Sequence, residues 1–126
     1  MSLDFYLYEK REAQQHECTC GHKHLADEET TLESFNITHN LGKMAHAAGI
    51  YECLWRPEEQ TPPITTAAQC IPILRDGLAV LRGTPGVFRP MSAANEWGTY
   101  EQFVPWVEKV LLACEANPDA LVSASR

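Results

Sequence analysis

Residues 35–59, FNITHNLGKMAHAAGIYECLWRPEE, carry the densest run of structural signals in this chain. Apolar residues recur there at the spacing of one helix face, at Leu41, Met44, Ala45, Ala48, Tyr51 and Trp55. This spacing follows the 3.6-residue period of an amphipathic helix. Gly49 favours a helix end, and Pro57 disfavours helix at the residue before it. We therefore predict one helix up to Gly49 and a second short helical piece over residues 50–55.

Working outward, three segments show the two-residue period of β-strands. The clearest is the N-terminus, where apolar Leu3, Phe5 and Leu7 alternate with Asp4, Tyr6 and Tyr8. Residues 32–37 show a shorter pattern of the same kind, which predicts a strand paired with the first. Residues 120–125 alternate again and predict an edge strand beside strand one, which also offers an edge for a possible homodimer.

Two longer helices are predicted after residue 64, each from an apolar stripe that follows a capping residue. Thr65 or Thr66 caps the first, whose stripe is Ala67, Cys70, Ile71, Leu74, Leu78 and Leu81. Thr99 and Gln102 form a capping box for the second, whose stripe is Phe103, Val107, Val110, Leu111 and Cys114. Internal prolines predict a kink in each helix. Between the helices, residues 83–98 are predicted to form a loop anchored on the core by Phe88, Met91 and Trp97.

The chain as a whole is predicted to be one α+β domain over residues 1–126. Its 126 residues are 44% hydrophobic, enough for a substantial core. The predicted architecture is a small antiparallel or mixed sheet of two or three strands, packed against about three helices, with a surface Cys/His insertion loop. The N-terminus lacks the pattern of a secretory signal, and no apolar run is long enough to cross a bilayer. We therefore expect a cytoplasmic protein without membrane association.

The balance of charge restricts the classes of partner. Ten Lys and Arg against seventeen Asp and Glu give a net charge of −7. Proteins that bind the phosphate backbone nonspecifically need the opposite sign, so nonspecific nucleic-acid binding is disfavoured. A basic protein partner is compatible with this charge, although acidic residues also serve solubility alone.

Four residues with metal-binding side chains lie within seven positions: Cys18, Cys20, His22 and His24. In a straight strand the first and last would lie roughly 20 Å apart at ~3.3 Å per residue, so a shared ion requires a chain reversal. Gly21 permits that reversal. Thiolate and imidazole ligands in tetrahedral array favour zinc, and two thiolates favour a closed, structural site.

This predicted zinc site lies in the polar segment 9–31, which we predict to be a metal-binding insertion or a long hairpin at the surface. The chain has five Cys and no secretory signal, which favours reduced thiols and metal ligation over disulfides. The Cys/His spacing is tighter than usual, so His16, Glu17, Asp27 or Glu28 remains an alternative ligand. The competing interpretation is an exposed loop that binds nothing. Cys70 and Cys114 lie on apolar stripes and are predicted to pack as small core residues, and we assign no nucleophile to them or to Cys53.

A second set of candidates is predicted to surround a ligand pocket: Asn36, His39, Asn40, Trp55, Arg56 and Tyr100. Helix N-termini attract anions, a histidine serves acid/base chemistry, and arginine offers a planar fork of donors. The structural alternatives are that Asn36 and Thr38 cap the first turn of the helix and that His39 and Asn40 also have capping roles. The aromatic residues would then close the core.

Two sequence boxes resemble a family of small uncharacterised proteins of phages and bacterial genomes. The first is N-x-T-x-N-x-x-x-M, at Asn36, Thr38, Asn40 and Met44. The second is a G-W-G-[ST]-Y-E type box, which reads NEWGTYE over residues 95–101, with Glu96 in place of a glycine. The resemblance implies a phage or bacterial accessory protein and implies no particular activity.

Two classes of function remain open from the sequence. The first is a non-enzymatic accessory protein whose zinc-stabilised loop and acidic surface contact a protein partner. The alternative is a small enzyme or nucleotide-binding protein with a pocket formed by the candidates above. Convergence of those candidates on an open cavity would favour the alternative, and their use in caps and packing would favour the first class.

Overall fold

The computed structural model describes residues 2–11, 28–92 and 98–126. The described strands are β1 (Ser2–Arg11), β2 (Glu28–Thr38) and β3 (Leu121–Ser125). The α-helices are α1 (Gly42–Ala47), α2 (Tyr51–Trp55), α3 (Ala67–Gly83), α4 (Pro85–Phe88) and α5 (Tyr100–Ala116). Short 3₁₀ turns cover His39–Leu41, Pro57–Glu59 and Arg89–Met91. The chain thus has the predicted α+β fold. No described helix is long and apolar enough to cross a membrane.

The described strands form an antiparallel sheet in the order β2-β1-β3. Both predicted partners of strand one are confirmed, including the C-terminal edge strand. Pairing with β2 continues to the end of β1, where Arg11 lies opposite Glu28, after a bulge between Leu7 and Tyr8. Both ends of segment 9–31 are paired strand, as the long-hairpin alternative requires, so the boundaries 9 and 31 are wrong for an insertion. Glu9, Thr30 and Thr31 at these ends are exposed, so no hydrophobic period marks them. Residues 12–27 lie outside the described part of the chain.

The core lies against one face of the sheet, which we call the inner face. Leu3, Phe5 and Leu7 of β1 are fully buried there, as their alternation predicts. They share one hydrophobic cluster with residues from α1, α2, α3 and α5. Burial of these side chains supplies the main favourable free energy of folding.

The central stretch folds as two short helices around Gly49. This residue has φ of +79°, a left-handed conformation that costs glycine little, and it ends α1. α2 then ends at Trp55, one residue before Arg56 and two before Pro57. The predicted break at Gly49 and the second helical piece are both confirmed.

Capping boxes begin both long helices; the box of the second and a threonine cap at the first were predicted. Thr66 with Gln69 caps α3, and Thr99 with Gln102 caps α5. Both helices continue past an internal proline. The segment between them differs from the predicted loop, because residues 85–91 form α4 and a 3₁₀ turn.

Of the predicted anchors in that segment, Phe88 is buried. The anchor prediction for Met91 is wrong, because its side chain is exposed. It lies at the end of the 3₁₀ turn Arg89–Met91, which has no buried residue. Trp97 lies outside the described residues.

Candidate binding surface

The face of the sheet opposite the core, which we call the outer face, carries two neighbouring tyrosines. Tyr6 and Tyr8 of β1 are half-buried and follow the alternation that sends Phe5 and Leu7 to the inner face. Tyr6 lies between Ser34 of β2 and Ser123 of β3 in the strand register. Tyr8 lies between Thr31 and Leu121 in the same way. The outer face is therefore a surface of phenol rings bordered mainly by exposed hydroxyl side chains.

Two open cavities meet at this surface. The smaller, of about 340 Å³, is lined by Tyr6, Tyr8, Thr31 and Ser123. The larger, of about 550 Å³, is a groove between residues 121–124 of β3 and the linker residues 63–65. Tyr8 and Ser123 line both cavities. Their volumes lie in the range of ligand sites, roughly 300–1,000 Å³, and both are open to solvent.

Asn36, a predicted cap and pocket residue, lies in β2 and does not cap a helix. Its side-chain amide donates hydrogen bonds to Asp4 Oδ1 at 2.7 Å and to Ser2 Oγ at 3.0 Å. Its carbonyl accepts a hydrogen bond from Trp106 Nε1 at 3.1 Å. The capping prediction for Asn36 is therefore wrong, because the strand continues to Thr38. Thr38 does cap the following turn, and its Oγ1 accepts from the backbone N–H of Asn40.

His39 and Trp55, two further pocket candidates, are brought together by the structure. Trp55 Nε1 donates to His39 Nδ1 at 2.9 Å, and the two rings lie 6.5 Å apart between centroids. The indole is 2% exposed. This hydrogen bond joins the turn after β2 to α2, so both side chains have a structural role.

Stacked rings continue from this pair along α2. Tyr51 stacks on Trp55 with centroids 5.2 Å apart, and His46 stacks on the other side of Tyr51 at 3.8 Å. Arg56, another pocket candidate, donates from Nε to Tyr51 Oη at 3.4 Å. The stacked rings of His46, Tyr51 and Trp55 pack against one another, and none of them lines either cavity described above.

Arg126 ties the C-terminus to the end of α2. Its guanidinium donates to the backbone carbonyl of Trp55 at 2.7 Å and to Glu58 Oε1 at 2.8 Å. Partial burial acts to raise the pKa of Glu58, but the hydrogen bond from Arg126, a backbone hydrogen bond and the positive charges of Arg126 and Arg56 together outweigh it and hold that pKa below its ordinary value. Arg56 forms a second ion pair, with 2.6 Å between its Nη1 and Glu59 Oε2. The two Glu residues of the linker are thus matched by two Arg residues.

The remaining pocket candidates lie apart from this group. Tyr100 is buried at the start of α5, and its hydroxyl donates to the carbonyl of Leu81 at 2.6 Å. Its backbone N–H bonds Ser92 Oγ. Asn40 is exposed beside His39 and lines neither described cavity. The structure therefore brings together His39, Trp55 and Arg56 through Tyr51, but does not gather all six candidates around one opening.

The four predicted zinc ligands, Cys18, Cys20, His22 and His24, lie outside the described residues. Within the described ranges, no group of three or more His, Cys, Asp or Glu side chains has a geometry that holds a metal ion.

The other three cysteines meet in the core, which the sequence pattern did not reveal. Cys53 of α2, Cys70 of α3 and Cys114 of α5 are buried free thiols. The pKa of Cys114 is raised by its hydrogen bond with Cys70 and by burial. For Cys70, the bond with Cys114 acts to lower the pKa, but the bond with Cys53 and burial outweigh it and raise the pKa. The raised thiol pKa values make Cys70 and Cys114 poor nucleophiles.

Comparison with known proteins finds no matching family model, curated protein or solved structure. The resemblance based on the two sequence boxes therefore stays a prediction.

The sequence pattern placed Tyr6 and Tyr8 opposite the apolar face of β1 but did not identify them as candidate binding residues. The available signal was their position on the polar face of a strand, where a solvated side chain is usually charged or small. Two tyrosines at that spacing place two adjacent rings on the exposed face of a sheet.

Proposed function

We propose that this protein is a non-enzymatic binding module that contacts a partner protein through the outer face of its sheet. The observation that carries the proposal is the adjacent pair Tyr6 and Tyr8, with the two cavities that meet beside them. Tyrosine is enriched at protein interfaces because its ring buries apolar area while its hydroxyl keeps a hydrogen bond.

The chemistry of the surrounding residues supports a protein partner. Ser34, Ser123 and Thr31 supply small hydroxyl groups that both donate and accept hydrogen bonds. Such a rim of small polar groups around aromatic rings is the usual composition of an adaptable recognition surface. The net charge of −7 favours a partner with a basic surface through long-range attraction.

The proposal also includes the predicted zinc loop and an accessory role in a phage or bacterial host, with the protein in the bacterial or infected cytoplasm. Both rest on sequence patterns alone. A structural zinc ion held by Cys18, Cys20, His22 and His24 would order a polar segment that has little apolar material of its own.

The alternative, a small enzyme or nucleotide-binding protein, has less support from the described contacts. Trp55 Nε1 donates a hydrogen bond to His39 Nδ1, and the Tyr100 hydroxyl donates one to a backbone carbonyl within the core. These atoms are engaged in holding the fold and do not face either described cavity.

Site-specific photo-crosslinking in the organism that carries the gene tests the proposal. A benzophenone amino acid replaces Tyr6, and the matched control carries it at the exposed Lys109 of α5. We expect one protein to be captured at Tyr6 and not at Lys109, identified by mass spectrometry. Equal capture at both positions, or none at Tyr6, would contradict a partner on the outer face.

A further inference from the structure

The outer edge of β3 is already paired over part of its length. Thr66 forms an antiparallel bridge with Leu121, flanked by hydrogen bonds from Val122 N to Thr65 O at 3.0 Å and from Ala67 N to Ala120 O at 2.8 Å. The chain before α3 thus begins a fourth strand beside β3. Among the described residues, this pairing stops at Val122.

Two features of the linker explain why the pairing stops: the backbone N–H of Thr65 donates to Gln69 Oε1 at 2.8 Å and not to the carbonyl of Val122, and a proline lies two residues before Thr65. Continuing the same register would place Ile64 opposite Ser123 and Pro63 opposite Ala124. Proline has no N–H, so Pro63 cannot donate to the carbonyl of Ala124. The amide of Ile64, which in this register points away from β3, donates to the carbonyl of Pro57 at 2.9 Å and ties the linker to the 3₁₀ turn Pro57–Glu59.

The consequence is a groove beside the far end of β3. Residues of an antiparallel strand alternate in direction, so Ala124 presents its N–H and C=O to the same side as Val122. That side is the 550 Å³ groove, whose walls include Ile64, Ala124 and Tyr8. The groove therefore combines a strand edge with apolar and aromatic side-chain contacts.

We propose that this groove takes an extended, proline-free segment of the partner protein, which adds to the sheet as a strand beside β3. The inference rests on the proposed function and specifies how the partner binds. Main-chain hydrogen bonds to Ala124 would supply affinity, and alternate side chains would contact Tyr8 or Ile64. A segment carrying basic residues fits best, because the chain has a net charge of −7.

The test is selection from a displayed library of unconstrained random peptides, followed by binding to two variants. Ala124→Pro removes the N–H that faces the groove, and a proline is tolerated on an edge strand at such a position. Ala124→Ser is the matched control, because it retains the N–H. Thermal unfolding of both variants verifies the fold.

We expect selected peptides to bind the wild type and Ala124→Ser alike and to bind Ala124→Pro about tenfold more weakly. Amide resonances of residues 123–125 should shift on binding. Peptides that bind all three proteins equally and shift Tyr6 and Ser34 instead would overturn strand addition and leave the proposed function standing. Failure to select any peptide would also overturn strand addition. The crosslinking experiment at Tyr6 tests the proposed function separately. Self-association that Ala124→Pro abolishes would assign the edge to a second copy of the chain.

Discussion

The indole of Trp55 donates a hydrogen bond to the imidazole of His39 at 2.9 Å, across sixteen residues of chain. His39 follows β2 directly and Trp55 ends α2, so this hydrogen bond fixes the central stretch against the sheet. The backbone carbonyl of Trp55 also accepts a hydrogen bond from Arg126, the residue directly after the end of β3 at Ser125. Trp55 is therefore a structural junction between the beginning, the centre and the end of the chain.

Replacing this indole tests its structural role. Trp55→Phe leaves His39 Nδ1 without its donor in a partly buried site and removes ring volume from the core. We expect a loss of about 1–3 kcal/mol in the free energy of unfolding, measured by urea denaturation. Trp106→Phe is the matched control, because its indole also donates a hydrogen bond, but that bond is exposed and the ring is only partly buried. The control should lose less than Trp55→Phe, and equal losses would contradict the junction role.

The contact between α3 and Ile50 provides a second test. A Cβ on Gly77 would lie 2.2 Å from Ile50 Cγ2 and 3.2 Å from the carbonyl oxygen of Ala48. Alanine favours helix by about 1 kcal/mol over glycine, but the overlap opposes this gain. We expect Gly77→Ala to destabilise the protein by about 1–3 kcal/mol in thermal or urea unfolding.

Gly83→Ala in the same helix is the control for this substitution. A Cβ at Gly83 meets nothing within 4 Å. We expect this variant to unfold at or above the wild-type midpoint. A stabilised Gly77→Ala protein would show that α3 packs further from Ile50 than described.

The buried thiols predict a loss of stability in alkaline solution. Folded Cys70 and Cys114 have raised pKa values, whereas an unfolded cysteine titrates near about 8.5. Below that pH the thiols stay protonated in both the folded and the unfolded state, so the free energy of unfolding is not reduced by thiol ionisation. Above it only the unfolded state loses the proton, so stability falls by about 1.4 kcal/mol per pH unit for each thiol.

Urea unfolding under reducing conditions, at pH 8 and above, measures this slope. Cys114→Ala should show a shallower fall than the wild type, because one of the two titrating thiols is gone. Parallel pH profiles for the two proteins would contradict the raised pKa of Cys114.

The sequence predicted local structure well where one residue pattern suffices. Alternation at Leu3, Phe5 and Leu7 located β1, and the Thr99 and Gln102 capping box located the start of α5. Features that depend on separate elements meeting in space were not predictable. The three core cysteines come from three helices, and the hydrogen bond from Trp55 to His39 joins two elements. Neither leaves a periodic trace, because periodicity records only which face of an element is buried.

The predicted zinc loop has its own chemical test. Protein purified without added metal should contain about one zinc ion per chain by elemental analysis. Replacing Cys18 and Cys20 together with Ser should remove the metal, because serine does not supply thiolate ligands. A strong chelator should then increase hydrogen exchange within residues 12–27 of the wild type. Metal-free wild-type protein with unchanged exchange in that segment would refute the zinc loop.

Binding of the partner protein to the outer face is tested most directly by the affinity of the crosslinked partner for a Tyr8→Ser variant. Tyr8 lines both cavities of the outer face, whereas the exposed Val87 of α4 lines neither and provides Val87→Ser as the control. Truncating a central aromatic residue at an interface typically weakens binding by about tenfold or more. We expect isothermal titration calorimetry to show that weaker binding for Tyr8→Ser and wild-type affinity for Val87→Ser. Unchanged affinity of a folded Tyr8→Ser protein would contradict the claim that the outer face binds the partner.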